Sequence, residues 1–174
     1  MLSNSVLNFD MKTLGTEFVE EEIKKGNSIF EDLIISADKL LQIDGLVLKG
    51  SLVFKNCIFE SSIDTHDIKN RHISITFKNC HFKRDFSIGF LNIDKIELTK
   101  VTFDQAVSIL ANESKVFCML DCESKSVTWI TYCKAQDASI HNCNFENLRL
   151  QKNEFMNDLN LNGTHFVELE DLKT

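Results

Sequence analysis

FKNCIF, at Phe54 to Phe59, returns as FKNCHF at Phe77 to Phe82, 23 residues further on. From the second copy, steps of 21 land on LTKVTF (Leu98 to Phe103), MLDCES (Met119 to Ser124), IHNCNF (Ile140 to Phe145) and LNGTHF (Leu161 to Phe166). Repeats of this length signal a stacked architecture, because one such unit cannot bury its apolar side alone. The columns are chemically consistent. The first place holds Phe54, Phe77, Leu98, Met119, Ile140 and Leu161, all large and apolar. Two places earlier stand Leu52, Ile75, Ile96, Phe117, Ala138 and Leu159, which is the period of two that a strand requires. The fourth place holds the small residues Cys57, Cys80, Val101, Cys122, Cys143 and Thr164, and the last place is Phe in every unit except at Ser124.

A finer period runs through the later units. Phe145, Leu150, Phe155, Leu161 and Phe166 follow one another at intervals of five or six residues. Neither that interval nor 21 suits an amphipathic helix, whose stripe returns every 3.6 residues. A chain that turns a corner about every five residues and closes after four sides stacks each coil on the last, pairing its strands in parallel. About six such coils at about 4.8 Å each make a rod roughly 29 Å long.

The unit of small residue, any residue, Phe or Leu, and two polar residues resembles the pentapeptide-repeat family. The likeness covers about residues 46–172 and is carried best by Cys57/Phe59, Cys80/Phe82 and Cys143/Phe145. The resemblance implies an all-β fold, a right-handed parallel β-helix with four sides per coil. The Asp or Asn that commonly precedes the small residue is present as Asn56, Asn79, Asp121 and Asn142, while Lys100 and Gly163 replace it elsewhere. Several sides are degenerate: Asn92, Glu113 and Lys134 are expected where the last full coil has Phe155. On another side two phases compete, Phe86 and Ile88 or Val107 and Ile109 inward against Asp85 and Ser87 or Ala106 and Ser108 inward.

Stack ends expose backbone groups and call for caps. Thr16 to Lys25 reads as a short helix, with Thr16 as N-cap, Glu17, Glu20, Glu21 and Glu22 early, Lys24 and Lys25 late, and Gly26 beyond the end. Its apolar side is expected to be Phe18, Val19 and Ile23, laid over the first coil. Residues 1–32 thus form an N-terminal segment with a capping helix, and 33–174 a solenoid domain whose opening coil, residues 30–48, is irregular. The two extra residues between Phe59 and Phe77 mark a bulging corner within residues 65–72. At the C-terminal end, Leu169 and Leu172 either finish the coil or meet a second copy, giving a homodimer; the opposing expectation is a monomer blunted by Glu168, Glu170 and Asp171.

The totals narrow the classes of function. A formal net charge of −7, from 26 Asp plus Glu against 19 Lys plus Arg, argues against a polybasic nucleic-acid groove. No basic stretch followed by an apolar run opens the chain, and no eighteen apolar residues run together, so the expectation is a cytoplasmic protein with no membrane segment. Three of the six cysteines, Cys57, Cys80 and Cys143, recur in the same Cys-x-Phe motif and read as small buried hydrophobes rather than a disulfide framework. With no proline, 14 Phe and one each of Trp and Tyr, the composition suits a repeated dry core.

No constellation for catalysis emerges, and no catalytic, cofactor or metal residue is assigned. His81 and His165 share an outward column four coils apart, about 19 Å, and cannot share an ion. Cys80, Cys122 and Cys143 share an inward column but lack a fourth ligand. His141 and Cys143 should face opposite ways on a strand, which leaves a Cys–His nucleophile unsupported. The column Glu60, Lys83, Asp104, Lys125, Glu146 alternates in sign until Val167 and reads as a solvated ladder rather than a paired-carboxylate site. Gly-rich phosphate loops are missing from a chain with only six glycines, and the sequons at Asn112 and Asn162 carry no weight without a secretory signal.

The reading that follows is a non-catalytic protein–protein interaction module on a rigid solenoid, with residues 65–72 and the acidic helix as candidate exposed features and an unknown protein as partner. The family resemblance adds an alternative, an acidic mimic of duplex DNA that occupies the DNA site of a type II topoisomerase. The alternating column, with Lys55, Lys78 and Lys100 near the same corner, weighs against it. A structural assembly protein is the third reading.

Overall fold

A computed structural model describes residues 11–36, 39–43, 48 and 50–172 of the chain, with backbone alone for 169–172. The chain is an all-β, right-handed parallel solenoid. One side of each coil contributes to a seven-stranded sheet that runs through Ile29–Glu31, Leu52–Lys55, Lys69–Lys78, Asn92–Thr99, Glu113–Leu120, Lys134–His141 and Glu154–Phe155. The next two sides build a twelve-stranded sheet. All its ladders are parallel because each coil lies on the one before it.

The columns read from sequence are the observed register. Phe54 pairs with Phe77, Phe77 with Leu98, Leu98 with Met119 and Met119 with Ile140. Leu52, Ile75, Ile96 and Phe117 form the companion column, and all nine of these inward side chains are buried. The core is a continuous strip whose aromatic part is two ring ladders. Phe30, Phe54 and Phe77 stack at 5.0 and 5.2 Å, and Phe59, Phe82 and Phe103 at 4.4 and 5.3 Å. The ladders meet edge to face, as where Phe77 and Phe82 lie 5.4 Å apart at 73°, the arrangement that sets the positive ring edge against the negative face.

Seven coils are present rather than six. The extra one is the irregular opening stretch, where Phe30 pairs with Phe54. Residues 37–38, 44–47 and 49, which fall in or beside that stretch, lie outside the described residues, as does the 1–10 segment. Parallel pairing reaches back further still, since Lys12–Gly15 pairs with Leu33–Ser36.

The side whose phase was open has Phe86, Ile88, Val107 and Ile109 inward, each at most 1% exposed. Two extra residues bulge the Lys69–Lys78 strand: Asn70 pairs with Ile93 and Ser74 with Lys95, so four steps face two. The expectation that Phe155 continues the Asn92, Glu113, Lys134 column is wrong by one residue. Glu154 pairs with Lys134, and Phe155 with Ala135. The cause is a shorter corner, where Val127 pairs with Asn147 although Ser124 pairs with Phe145. Steps of 21 overshoot from there to Phe155, and the 21-residue register returns where Ser139 meets Asn160.

Helix α1 (Thr16–Lys25) closes the N-terminal end with Val19 and Ile23 buried. Gly15, not Thr16, is the N-cap, and Thr16 is a buried first-turn residue with no side-chain cap bond. Phe18, expected on the packed side, is 45% exposed: it precedes Val19 by one position, and the stripe that Val19 and Ile23 define at i and i+4 turns it toward the rim. Gly26 ends the helix in the left-handed region at φ 101°, its N–H reaching the Ile23 carbonyl at 2.9 Å, as a C-terminal glycine does.

Candidate interaction surfaces

Among the described residues, five coils turn two of their corners with a left-handed residue. At one corner stand Asp32, Asn56, Asn79, Lys100, Asp121 and Asn142, with φ from 51 to 56°, and then Gly163 at φ 68°. This explains the Asp or Asn of the motif, because short polar side chains tolerate that conformation. Asn56 donates to the Asp32 carboxylate at 2.8 Å, and Asn79 to the Asn56 carbonyl at 3.0 Å, which ties successive corners together. The residue after these corners, Leu33 apart, is small. Cys57, Cys80, Cys122 and Cys143 occupy it, all buried and none in a disulfide.

These thiols are structural donors. Cys57 reaches the Lys55 carbonyl at 3.3 Å, Cys80 the Lys78 carbonyl at 3.4 Å and Cys122 the Leu98 carbonyl at 3.3 Å. The neighbouring thiol Cys57, together with burial, pushes Cys80 far above the ordinary cysteine range; Cys143 and burial do the same to Cys122, and burial raises Cys133. A nucleophile or a metal ligand needs the thiolate, which burial opposes at Cys80, Cys122 and Cys133, whereas the thiols of Cys80 and Cys122 hold Cys57 and Cys143 below the ordinary range. Among the described residues no group of three or more His, Cys, Asp or Glu is placed to hold a metal ion. His81 and His165 lie four coils apart in one outward column, with Thr102, Glu123 and Asn144 between them.

The charged column forms the cross-coil pairs its alternation implies. Lys83 meets Glu60 at 2.9 Å and Lys125 meets Asp104 at 2.8 Å, with His81 Nε2 2.6 Å from the other Asp104 oxygen. The Lys125 ammonium first, and His81 after it, hold the Asp104 carboxyl below its ordinary value. Similar pairs join Lys55 to Glu31 and Lys115 to Asp94. The outer faces are nevertheless not uniformly flat. A shallow groove of about 410 Å³ crosses three coils at residues 113–115, 134–136 and 154–156. Its Lys134 is paired with Glu154 at 2.7 Å, and Phe155 and Met156 supply apolar surface.

The second left-handed corner is where sequence reasoning missed most. Asp67, Phe90, Ala111, Tyr132 and Lys152 turn it, with φ between 50 and 59°. Inside it, Asn112 accepts from the Leu91 N–H at 3.0 Å and donates to the Ile88 carbonyl at 3.2 Å; Asn153 does the same for Cys133 and Ile130 at 2.9 and 2.7 Å. Outside it, Phe90 and Tyr132 are about half exposed. Trp129 faces outward on the coil of Tyr132, paired between Ser108 and Arg149. The signal available in the sequence was compositional: the single Trp and single Tyr fall three positions apart, while Phe fills the core.

At the C-terminal end the strand His165–Leu172 pairs on one edge with Asn144–Gln151 and has no partner on its other edge among the described residues. Met156 and Val167 are 83% and 86% exposed there, Phe166 is 37% exposed, and Glu168 is exposed beside them. The side chains of Leu169 and Leu172, expected to finish the coil or meet a second copy, lie outside the described residues. No family model, no curated protein and no solved structure matches the chain. Among the described residues no helix is long and apolar enough to cross a membrane.

Proposed function

We propose that the chain is a cytoplasmic, non-catalytic protein–protein interaction module, a rigid solenoid that presents its outer faces and C-terminal end to other proteins. Its 21-residue coils are consistent with the pentapeptide-repeat family, to which we assign it. The observation that carries the functional reading is the open end. A strand of eight residues with one edge unpaired among the described residues, beside exposed Met156, Phe166 and Val167, is a template for another chain. Helix α1 covers the opposite end, so the asymmetry is built in. The free thiols suit a reducing compartment.

The partner at this end is an unidentified protein or a second copy of the chain. Sedimentation velocity over a hundredfold concentration range separates these. A closed dimer abolished by Met156→Glu with Val167→Glu identifies the homodimer; a monomer that captures another protein, and loses it in the same variant, identifies the module. Open-ended growth favours a structural assembly protein. Turnover of a small substrate by a chain that binds no protein overturns the reading. A duplex mimic needs an unbroken negative face, and the Glu60/Lys83 and Asp104/Lys125 pairs alternate in sign, so we rank it lower; altered gyrase supercoiling at micromolar concentration would reverse that order.

A further inference from the structure

Phe90 and Tyr132 carry two costs that the fold does not explain. Each is a bulky residue held in the left-handed region, at φ 54° and 56°, where Asn, Asp or Gly would sit with less strain. Each also leaves about half of its surface in water. Strain of this kind persists where it serves a site. The equivalent position at the other corner is served by Asn, Asp, Gly and one Lys, so the solenoid itself does not call for an aromatic ring there.

Around the two rings the surface is low. Ala111 turns the corner on the coil between them, and Gly89 is so close to the next coil that an added Cβ would stand 3.1 Å from the Leu110 carbonyl. Leu110 and Trp129 are partly buried beside the ridge. Lys152 sets its ammonium over the Tyr132 ring, 5.7 Å from the centroid, supporting that ring from the last corner of the column. The outcome is a pair of aromatic posts with a small residue between them. Trp and Tyr, the aromatic types enriched at protein interfaces, are both here.

The spacing selects a partner. Phe90 and Tyr132 are two coils apart, about 9.6 Å at the parallel-strand spacing. A polyproline II helix repeats every three residues at about 3.1 Å each, or about 9.3 Å per turn. Prolines at i and i+3 of such a helix lying along the solenoid axis therefore reach both rings, with the intervening turn over Ala111. Proline-rich segments dock on aromatic-lined surfaces by this mode, and their stiffness lowers the entropy lost on binding. The chain itself contains no proline, so a second copy cannot be the occupant.

We propose that the ridge of Phe90, Ala111 and Tyr132, flanked by Leu110 and Trp129, docks a proline-rich segment of another protein in the polyproline II conformation. This rests on the interaction-module reading and names the chemistry of a partner, at a side corner of the solenoid rather than at the edge of its terminal strand.

Trp129, the single tryptophan, lies on the coil of Tyr132 and reports on the ridge. Titration of the full chain with decaproline is expected to shift its emission saturably, while a Gly–Ser peptide of equal length does not. Phe90→Asn and Tyr132→Asn should each weaken binding at least tenfold with melting temperature unchanged or raised, because Asn suits the left-handed corner. Met156→Glu with Val167→Glu should bind decaproline normally. A flat titration to millimolar peptide, or an equal response in the double Asn variant, overturns the assignment. The sedimentation behaviour of the C-terminal end would be untouched by that failure, so the two readings fall separately.

Discussion

Thr65 places a hydroxyl in a column that continues as Ile88, Ile109, Ile130 and Leu150. Its Oγ1 is buried and finds no hydrogen-bond partner among the described residues. Ser61 Oγ is in the same position, whereas Ser124 and Thr128 pair their hydroxyls. Ser124 interrupts the Phe column, yet Thr128 donates to its oxygen at 2.9 Å and Ser124 donates onward to the Ser126 carbonyl at 3.1 Å. A buried hydroxyl without a partner costs about 1–3 kcal/mol, whereas a methyl of the same shape costs nothing. Thr65→Val is therefore expected to raise stability by about 1 kcal/mol, read as a higher urea midpoint at unchanged slope. Thr128→Val should do the reverse, because it leaves the Ser124 oxygen without its donor. A lowered midpoint for Thr65→Val would show that its hydroxyl has a partner after all.

Strands and corners were legible to different degrees, for a physical reason. Inward strand positions repeat once per coil under a strict demand for apolar volume, so Phe54, Phe77, Leu98, Met119 and Ile140 announce the fold by themselves. Corner lengths obey a weaker demand. The corner after Phe145 is shorter than its predecessor, and one missing residue moved Phe155 out of its expected column. The ridge was hidden for a third reason: Phe90 and Tyr132 look like core residues until the corner conformation is known. The ladder of alternating charges was readable, and it yields a sign for pH. Asp104 is held below its ordinary value of 3.8 mainly by Lys125, so its pairing stabilises the fold above the unfolded value and loses that effect as pH falls through the folded one. The pair is largely exposed, which limits the effect to about 0.2–1 kcal/mol. Asp104→Asn is expected to lower the melting temperature slightly at pH 7 and to match the parent chain near pH 2. A deficit that stays constant across this range would assign the loss to something other than the charge.

Because every coil touches only its neighbours, stability in a stacked coil propagates along one axis. The aromatic ladders are concentrated between Phe30 and Phe103, where Phe82 meets Phe59, Phe77, Phe86 and Phe103 with centroids 4.4 to 5.4 Å away. Toward the C-terminus the ladder ends: Ser124 precedes Phe145 in the column, and Phe166 after it is partly exposed. Truncating a buried Phe costs about 3–5 kcal/mol, and each favourable ring pair adds about 0.5–1.5 kcal/mol beyond burial. Phe82→Ala should therefore fall at or above the top of that range and Phe145→Ala toward its lower end. Hydrogen exchange separates the two further. Phe145→Ala is expected to lose protection in Asn144–Gln151 and His165–Leu172 while Leu52–Lys55 stays protected, since the central ladders do not depend on the last coils. Phe82→Ala removes a rung that couples both halves and should lower protection on either side of it. Equal losses at all coils in both variants would mean that the stack unfolds as a single cooperative unit. The open C-terminal end could not then fray independently, and a partner docking there would stabilise every coil alike.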